Sequence, residues 1–352
     1  MKKKQLVLGL IVLVALVALV VWGHNRIHFD FGVFRSQLAL ANWYKIGLGL
    51  ACIYLGYVFR AARWEFLLRH NKKVPLFSLL GTQVIGFTAI ALIGRIADPV
   101  RPYLVAKKTG LPLSNQIAVY IVERLFDAGS MAFIFSCAIL FAPAGSLPHA
   151  ELVKKTGLIS LALTILGAIF LVAVRLAGGV VATYLEKIFG LISLKAGQAV
   201  GHKVRTFRSG LDTMRSFSDF GLTAALSLSM WLLITLAYVE TTRAFVASPE
   251  LASISFPKCV VLMAVSGAAS SGQLPIIGWF SQIAIVAAAI SSFFGAAPEA
   301  STACAATLLA VTFLGIIPFG LVWARFEHVS LRNVTEESEQ VEEELAAEEP
   351  TV

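Results

Sequence analysis

The feature that most constrains this chain is the recurrence of apolar runs close to the length of a bilayer-crossing helix, roughly 20 residues. They are Leu6–Trp22, Trp43–Ala61, Phe77–Gly94, Ile117–Ala142, Gly157–Ala177, Gly221–Val246, Cys259–Phe294 (interrupted) and Ser301–Trp323. Lipid offers the backbone no hydrogen-bond partner, so each run must satisfy its amides internally as a helix, and the runs are too long for barrel strands. Composition agrees. Only 14% of the 352 residues are charged and mean hydropathy is +0.79, against about 25% charged in soluble domains. The expected fold is all-α and polytopic: about six full spans plus two broken re-entrant hairpins.

The third run decides the topology, because a full crossing there reverses everything after it. Basic residues favour the cytoplasmic side. If residues 77–106 enter and leave on one side, 19 basic residues fall inside and 7 outside; a full crossing leaves 12 inside and at least 14 outside. The hairpin is therefore expected, with its tip at GRIADPVRP, where Pro99 and Pro102 interrupt helical bonding. Thirty residues in two arms and a turn leave about 12–15 per arm, or roughly 18–22 Å, short of a ~30 Å core. Residues 259–294 read as a second broken hairpin, entered from the opposite side. Two hairpins of opposite sidedness suggest an inverted repeat, as in transporters built from broken helices.

Residues 1–334 form one membrane domain in this reading. Within it, 178–220 is a basic cytoplasmic insertion with Val181, Leu185, Ile188 and Ile192 at helical spacing. It reads either as a helix lying on the membrane surface or as a loop helix packed on the bundle. Residues 335–352 carry eight glutamates and no basic residue, and are expected to be a disordered acidic tail. Lys2-Lys3-Lys4 before Leu6–Trp22 indicates an uncleaved first span with a cytoplasmic N-terminus, and the C-terminus falls on the same side. The four cysteines and six histidines are scattered without metal or redox spacing, so no cofactor is expected.

Charges inside lipid cost roughly 2.5–3.5 kcal/mol each. Arg95, Asp98 and Arg101 must therefore pair, line a wet cavity or bind an anion, unless the hairpin is shallow and the arginines reach headgroups. Guanidinium suits bidentate contact with phosphate. Glu123, Arg124 and Asp127 share a helix face at i,i+3 and i,i+4 spacing. They read either as balancing the hairpin's arginines or as an internal ion pair. Gln273 and Gln282 bring uncharged polarity to the second hairpin. Arg60, Arg63 and Trp64 close the second span, where basic and aromatic residues anchor an interface.

Three motifs carry a resemblance: RAARWEFLL (60–68), GRIADPVRPYLVAKKTG (94–110) and VERLFDAG (122–129). In order and context they resemble the lysylphosphatidylglycerol synthase transmembrane-region family. That family includes the flippase domain of the multiple peptide resistance factor and many stand-alone membrane proteins. The likeness spans roughly residues 5–330. Arg101 and Pro102 match the family's Arg-Pro, and Ala97 and Asp98 stand where it usually has Gly-Glu. In the second hairpin Pro275 is kept, Ile276 and Ile277 replace glycines, and Gln282 stands at a glutamate position.

The resemblance implies a lipid flippase of the plasma (inner) membrane that moves a phosphate-bearing lipid, either a phospholipid or a polyprenyl-linked one. Arg95, Asp98, Arg101, Glu123, Arg124, Asp127, Gln273 and Gln282 would be its substrate-binding residues. The expected partner is membrane lipid and not nucleic acid, and a homo-oligomer is compatible with it. No enzyme is expected, since the chain has neither an aminoacyltransferase domain nor a metal or nucleophile motif. The alternatives are an ion- or proton-coupled transporter of a small solute, or a membrane-embedded lipid-modifying enzyme.

Overall fold

The computed structural model describes residues 29–143, 150–191, 193, 194, 197–201, 204, 216–270, 277–330 and 333. The expected span Leu6–Trp22, the acidic tail 335–352, most of the basic stretch 192–215 and the centre of the second hairpin, with Gln273 and Pro275, lie outside the described residues. Within them there are twelve α-helices, two 3-10 turns and no strand. The helices are α1 (Phe31–Ala39), α2 (Trp43–Leu68), α3 (Leu76–Ile93), α4 (Val100–Thr109), α5 (Leu113–Leu140) and α6 (Ala150–Gly190). They continue with α7 (Phe217–Arg243), α8 (Pro249–Ala252), α9 (Phe256–Ser270), α10 (Ile277–Phe294), α11 (Pro298–Thr312) and α12 (Ile317–Phe326). The chain is a polytopic helical membrane protein: α2, α3, α7, α10, most of α6, and α11 joined to α12 are long and apolar enough to cross a bilayer. α5 has the length too, at 28 residues, but carries Glu123, Arg124 and Asp127.

Local chemistry sets the helix ends. Asp30 caps α1 by accepting from the Gly32 and Val33 amides, and Asn42 caps α2 in the same way. Ser216 and Asp219 form a reciprocal capping box at the start of α7, which satisfies amides that a helix N-terminus otherwise leaves unpaired. The long helix α6 kinks at Ala177 (φ −132°, ψ 35°), the residue at which hydropathy ends the span. Beyond the kink, Val181 and Leu185 pack on the core while Ile188 is exposed.

The chain reverses over α3 and α4. Gly94, at φ 96° and ψ −171°, ends α3, and a 3-10 turn Arg95–Ala97 leads through Pro99 into α4. Lys108 near the end of α4 donates to the Ser78 carbonyl near the start of α3, and Lys72 donates to the Thr109 carbonyl. The two ends of this segment therefore lie together. The arms differ from the expected 12–15 residues: α3 has 18 and α4 has 10. The break falls at Gly94 and not midway, because glycine alone takes that backbone conformation readily.

α9 and α10 make the second reversal. It begins beside Arg243, which donates to the Ile254 carbonyl, and Lys258 near its start lies over the Phe294 ring at its end. That is the opposite end of the bundle from Ser78 and Thr109, since α2 and α7 each run the bundle's length between Asn42–Ala244 and Arg69–Asp219 contacts. The end of α9 and the start of α10 meet the first reversal: Arg95 donates to the Ser270 carbonyl and hydroxyl, and Trp279 Nε1 to the Ala91 carbonyl.

Candidate functional site

Five helices converge on one buried cluster. α2 supplies Arg60, Arg63 and Trp64, which share a face at i,i+3,i+4 spacing. α5 supplies Tyr120, Glu123, Arg124 and Asp127 by the same rule. α4 supplies Arg101, α3 supplies Gln83 and Phe87, and α7 supplies Ser227 and Trp231.

Glu123 is the centre. Its Oε1 lies 2.6 Å from Arg63, 2.8 Å from Arg101, 3.3 Å from Arg60 and 3.6 Å from Arg124. Its Oε2 accepts from Trp64 Nε1 at 2.9 Å and from Arg101 at 2.8 Å. Asp127 takes Arg63 at 2.6 Å, and Arg60 and Arg124 at 3.4 Å. Arg63 also donates to Ser227 Oγ at 2.6 Å, and Arg101 donates twice to Gln83 Oε1. Arg101 and Glu123 are fully buried, and Arg63 is 1% exposed.

Rings interleave with the cations. Arg60 and Arg101 lie 4.6 and 4.5 Å from the Phe87 centroid; Arg101 and Arg124 lie 5.4 and 5.1 Å from that of Tyr120. The ring faces attract guanidinium and space out groups that repel one another. Gly86 makes room for this: a Cβ there would run into the Arg101 side chain.

Four guanidiniums thus share two carboxylates. Arg63 Nε, Arg101 Nη1, Arg124 Nε and Gln83 Nε2 are buried and meet no acceptor among the described residues. Buried donors are nearly always satisfied, and these are left over in a cluster that holds more guanidinium than carboxylate.

The family model of the lysylphosphatidylglycerol synthase TM region matches residues 6–337, nearly the whole chain. The chain belongs to this family. No curated protein and no solved structure matches it.

The three motifs by which the chain resembles the lysylphosphatidylglycerol synthase TM-region family lie far apart in sequence, and the fold draws them to one place. Arg101, Glu123, Arg124 and Asp127 come together there. Arg60, Arg63 and Trp64, expected to anchor an interface, are buried in the same cluster. The reason is that α2 continues to Leu68, beyond the Ala61 at which hydropathy ends, so these residues lie inside the helix and face α5. Arg95 and Asp98 stand apart at the turn. The Arg95 side chain is 41% exposed, pairs with Asp98 at 3.8 Å and holds Ser270, while Asp98 stays within electrostatic reach of Arg124. Gln282 accompanies Ser266 on the adjoining arm at 2.9 Å, and Gln273 lies outside the described residues. Gln83, Phe87, Tyr120, Ser227 and Trp231 escape sequence reading. Gln83 leaves one trace, as the sole amide side chain in the apolar LFSLLGTQVIGFTAIALI.

Proposed function

We propose that the protein moves a phosphate-bearing lipid, a phospholipid or a polyprenyl-linked one, between the leaflets of the plasma (inner) membrane. The observation that carries this reading is the buried excess of guanidinium over carboxylate at the convergence of α2, α3, α4, α5 and α7. Guanidinium binds phosphate through paired N–H donors, and in a polytopic helical protein an anion at that depth is best delivered as the head of a lipid. The two reversals supply a route: they enter from opposite ends of the bundle and touch at Arg95, Ser270, Ala91 and Trp279. Parting them in alternation would open the cluster to one leaflet and then the other.

The site is read as a binding site without a chemical step. General acid–base catalysis requires a carboxylate free to exchange a proton with substrate, and Glu123 and Asp127 are each held by several guanidiniums. The basic end of the bundle, with Arg69, Lys72, Lys73, Lys107 and Lys108, is assigned to the cytoplasm by the charge rule.

Full-length protein in vesicles should accelerate transbilayer movement of labelled anionic phospholipid or polyprenyl phosphate, and Arg101→Ala should return the rate to that of empty vesicles. Equal rates with and without protein, for both lipid classes, would defeat the proposal.

A further inference from the structure

We infer that the lipid received by this cluster ends in a phosphate monoester, a dianion, and bears no cationic headgroup. This rests on the proposed reading of the cluster as the lipid's seat, and extends it to substrate class.

The argument is charge balance in a medium that tolerates little imbalance. Arg60, Arg63, Arg101 and Arg124 oppose Glu123 and Asp127, which leaves two positive charges. Three charges further out are paired with carboxylates of their own. Arg95 has Asp98, Arg69 has Asp219, and Lys108 has Glu327. A phosphate diester, as in a common anionic phospholipid, supplies one negative charge. A monoester above its second pKa, about 6, approaches two, and offers more acceptor oxygen to a cluster whose unpartnered donors include Arg63 Nε, Arg101 Nη1, and Arg124 Nε and Nη2.

A cationic headgroup fits poorly. Glu123 and Asp127 are already surrounded by guanidinium, Asp98 at the turn is paired with Arg95, and a further positive charge would enlarge the surplus. The family's name refers to an aminoacylated lipid, but this chain's charge inventory points to its chemical opposite.

The way in favours a lipid over a soluble phosphate. The Arg124 side chain is 33% exposed, on a face of α5 where Ile121 and Leu125 are each 41% exposed. A phosphate at Arg124 would leave its acyl or prenyl chain lying along that apolar face.

The test measures binding, so that it is separate from transport. Detergent-solubilised full-length protein at pH 8 is titrated in native mass spectrometry with four probes. These are a diacylglycerol phosphate monoester, its methyl diester, an aminoacylated diester and inorganic phosphate. The monoester should bind at least tenfold more tightly than the methyl diester and more tightly still than the aminoacylated lipid, with inorganic phosphate a weak competitor. Arg124→Gln, which removes one surplus charge at a partly exposed position, should bring the monoester-to-diester ratio towards one. The wild-type ratio decides by itself if that variant does not fold. Equal binding of monoester and diester, or preference for the aminoacylated lipid, overturns the inference and leaves lipid movement standing. Inorganic phosphate binding as tightly as the lipid monoester overturns the lipid source. Selective monoester binding without transbilayer movement supports the inference and removes the transport reading instead.

Discussion

Glu123 holds the site together because its removal leaves four cations with one carboxylate. Breaking a buried ion pair on the side that strands charge costs about 3–5 kcal/mol. Glu123→Gln is therefore expected to lower stability by about that much in chemical unfolding of detergent-solubilised protein. Arg124→Gln should change it by less than about 1 kcal/mol, because Arg124 belongs to the surplus and is one-third exposed. Equal effects of the two would mean that the cluster is not cation-rich in the folded protein. Gly86 acts at the same scale by leaving the volume through which Arg101 passes. Gly86→Ala should overpack the site at a cost of about 1–3 kcal/mol and displace Arg101 from Gln83. Lipid movement should then fall with the protein still folded, checked by paired transport and melting measurements.

At the scale of elements, the first reversal depends on Gly94. Its backbone lies where almost only glycine is found, and a side chain there costs about 1–3 kcal/mol. Gly94→Ala should therefore lower the melting temperature and loosen Arg95 from Ser270. The same change at Gly129, mid-helix in α5 where an added Cβ would meet nothing within 4 Å, should be neutral or stabilising. A melting curve for each variant checks the contrast. The break also explains why α3 and α4 are unequal: chain direction changes where glycine permits it, and Pro99 and Pro102 then start a new helix, a position proline tolerates.

For the whole molecule, the contact between the two reversals is the moving part in the proposed cycle. Linking Arg95→Cys to Ser270→Cys with a short bifunctional thiol reagent, after replacing the native cysteines, should stop lipid movement. Reductive cleavage of the link should restore it. Undiminished transport in the linked protein would separate this contact from the cycle. Sidedness is testable in the same background. Lys72→Cys and Lys107→Cys should label from one face of the membrane and Lys258→Cys from the other, as the hydrogen bonds joining Lys72 to Thr109 and Lys108 to Ser78 require.

Hydropathy alone determined that the chain is helical and polytopic, because lipid excludes every backbone that cannot satisfy itself. The sequence also located the break within GRIADPVRP, through Pro99 and Pro102, though not at Gly94, and marked Arg101, Glu123, Arg124 and Asp127 by the cost of charge among apolar neighbours. Tertiary structure alone decided which charges meet. Arg60 and Arg63 read as interface anchors because apolar run and helix end differ by about two turns on α2. Arg95 reads as equal to Arg101, yet one reaches the protein's surface at the turn and the other is sealed beneath Phe87 and Tyr120. Spacing along a helix fixes which side chains share a face. Which faces then press together is settled by packing among distant segments, and that packing placed four guanidiniums around one carboxylate oxygen.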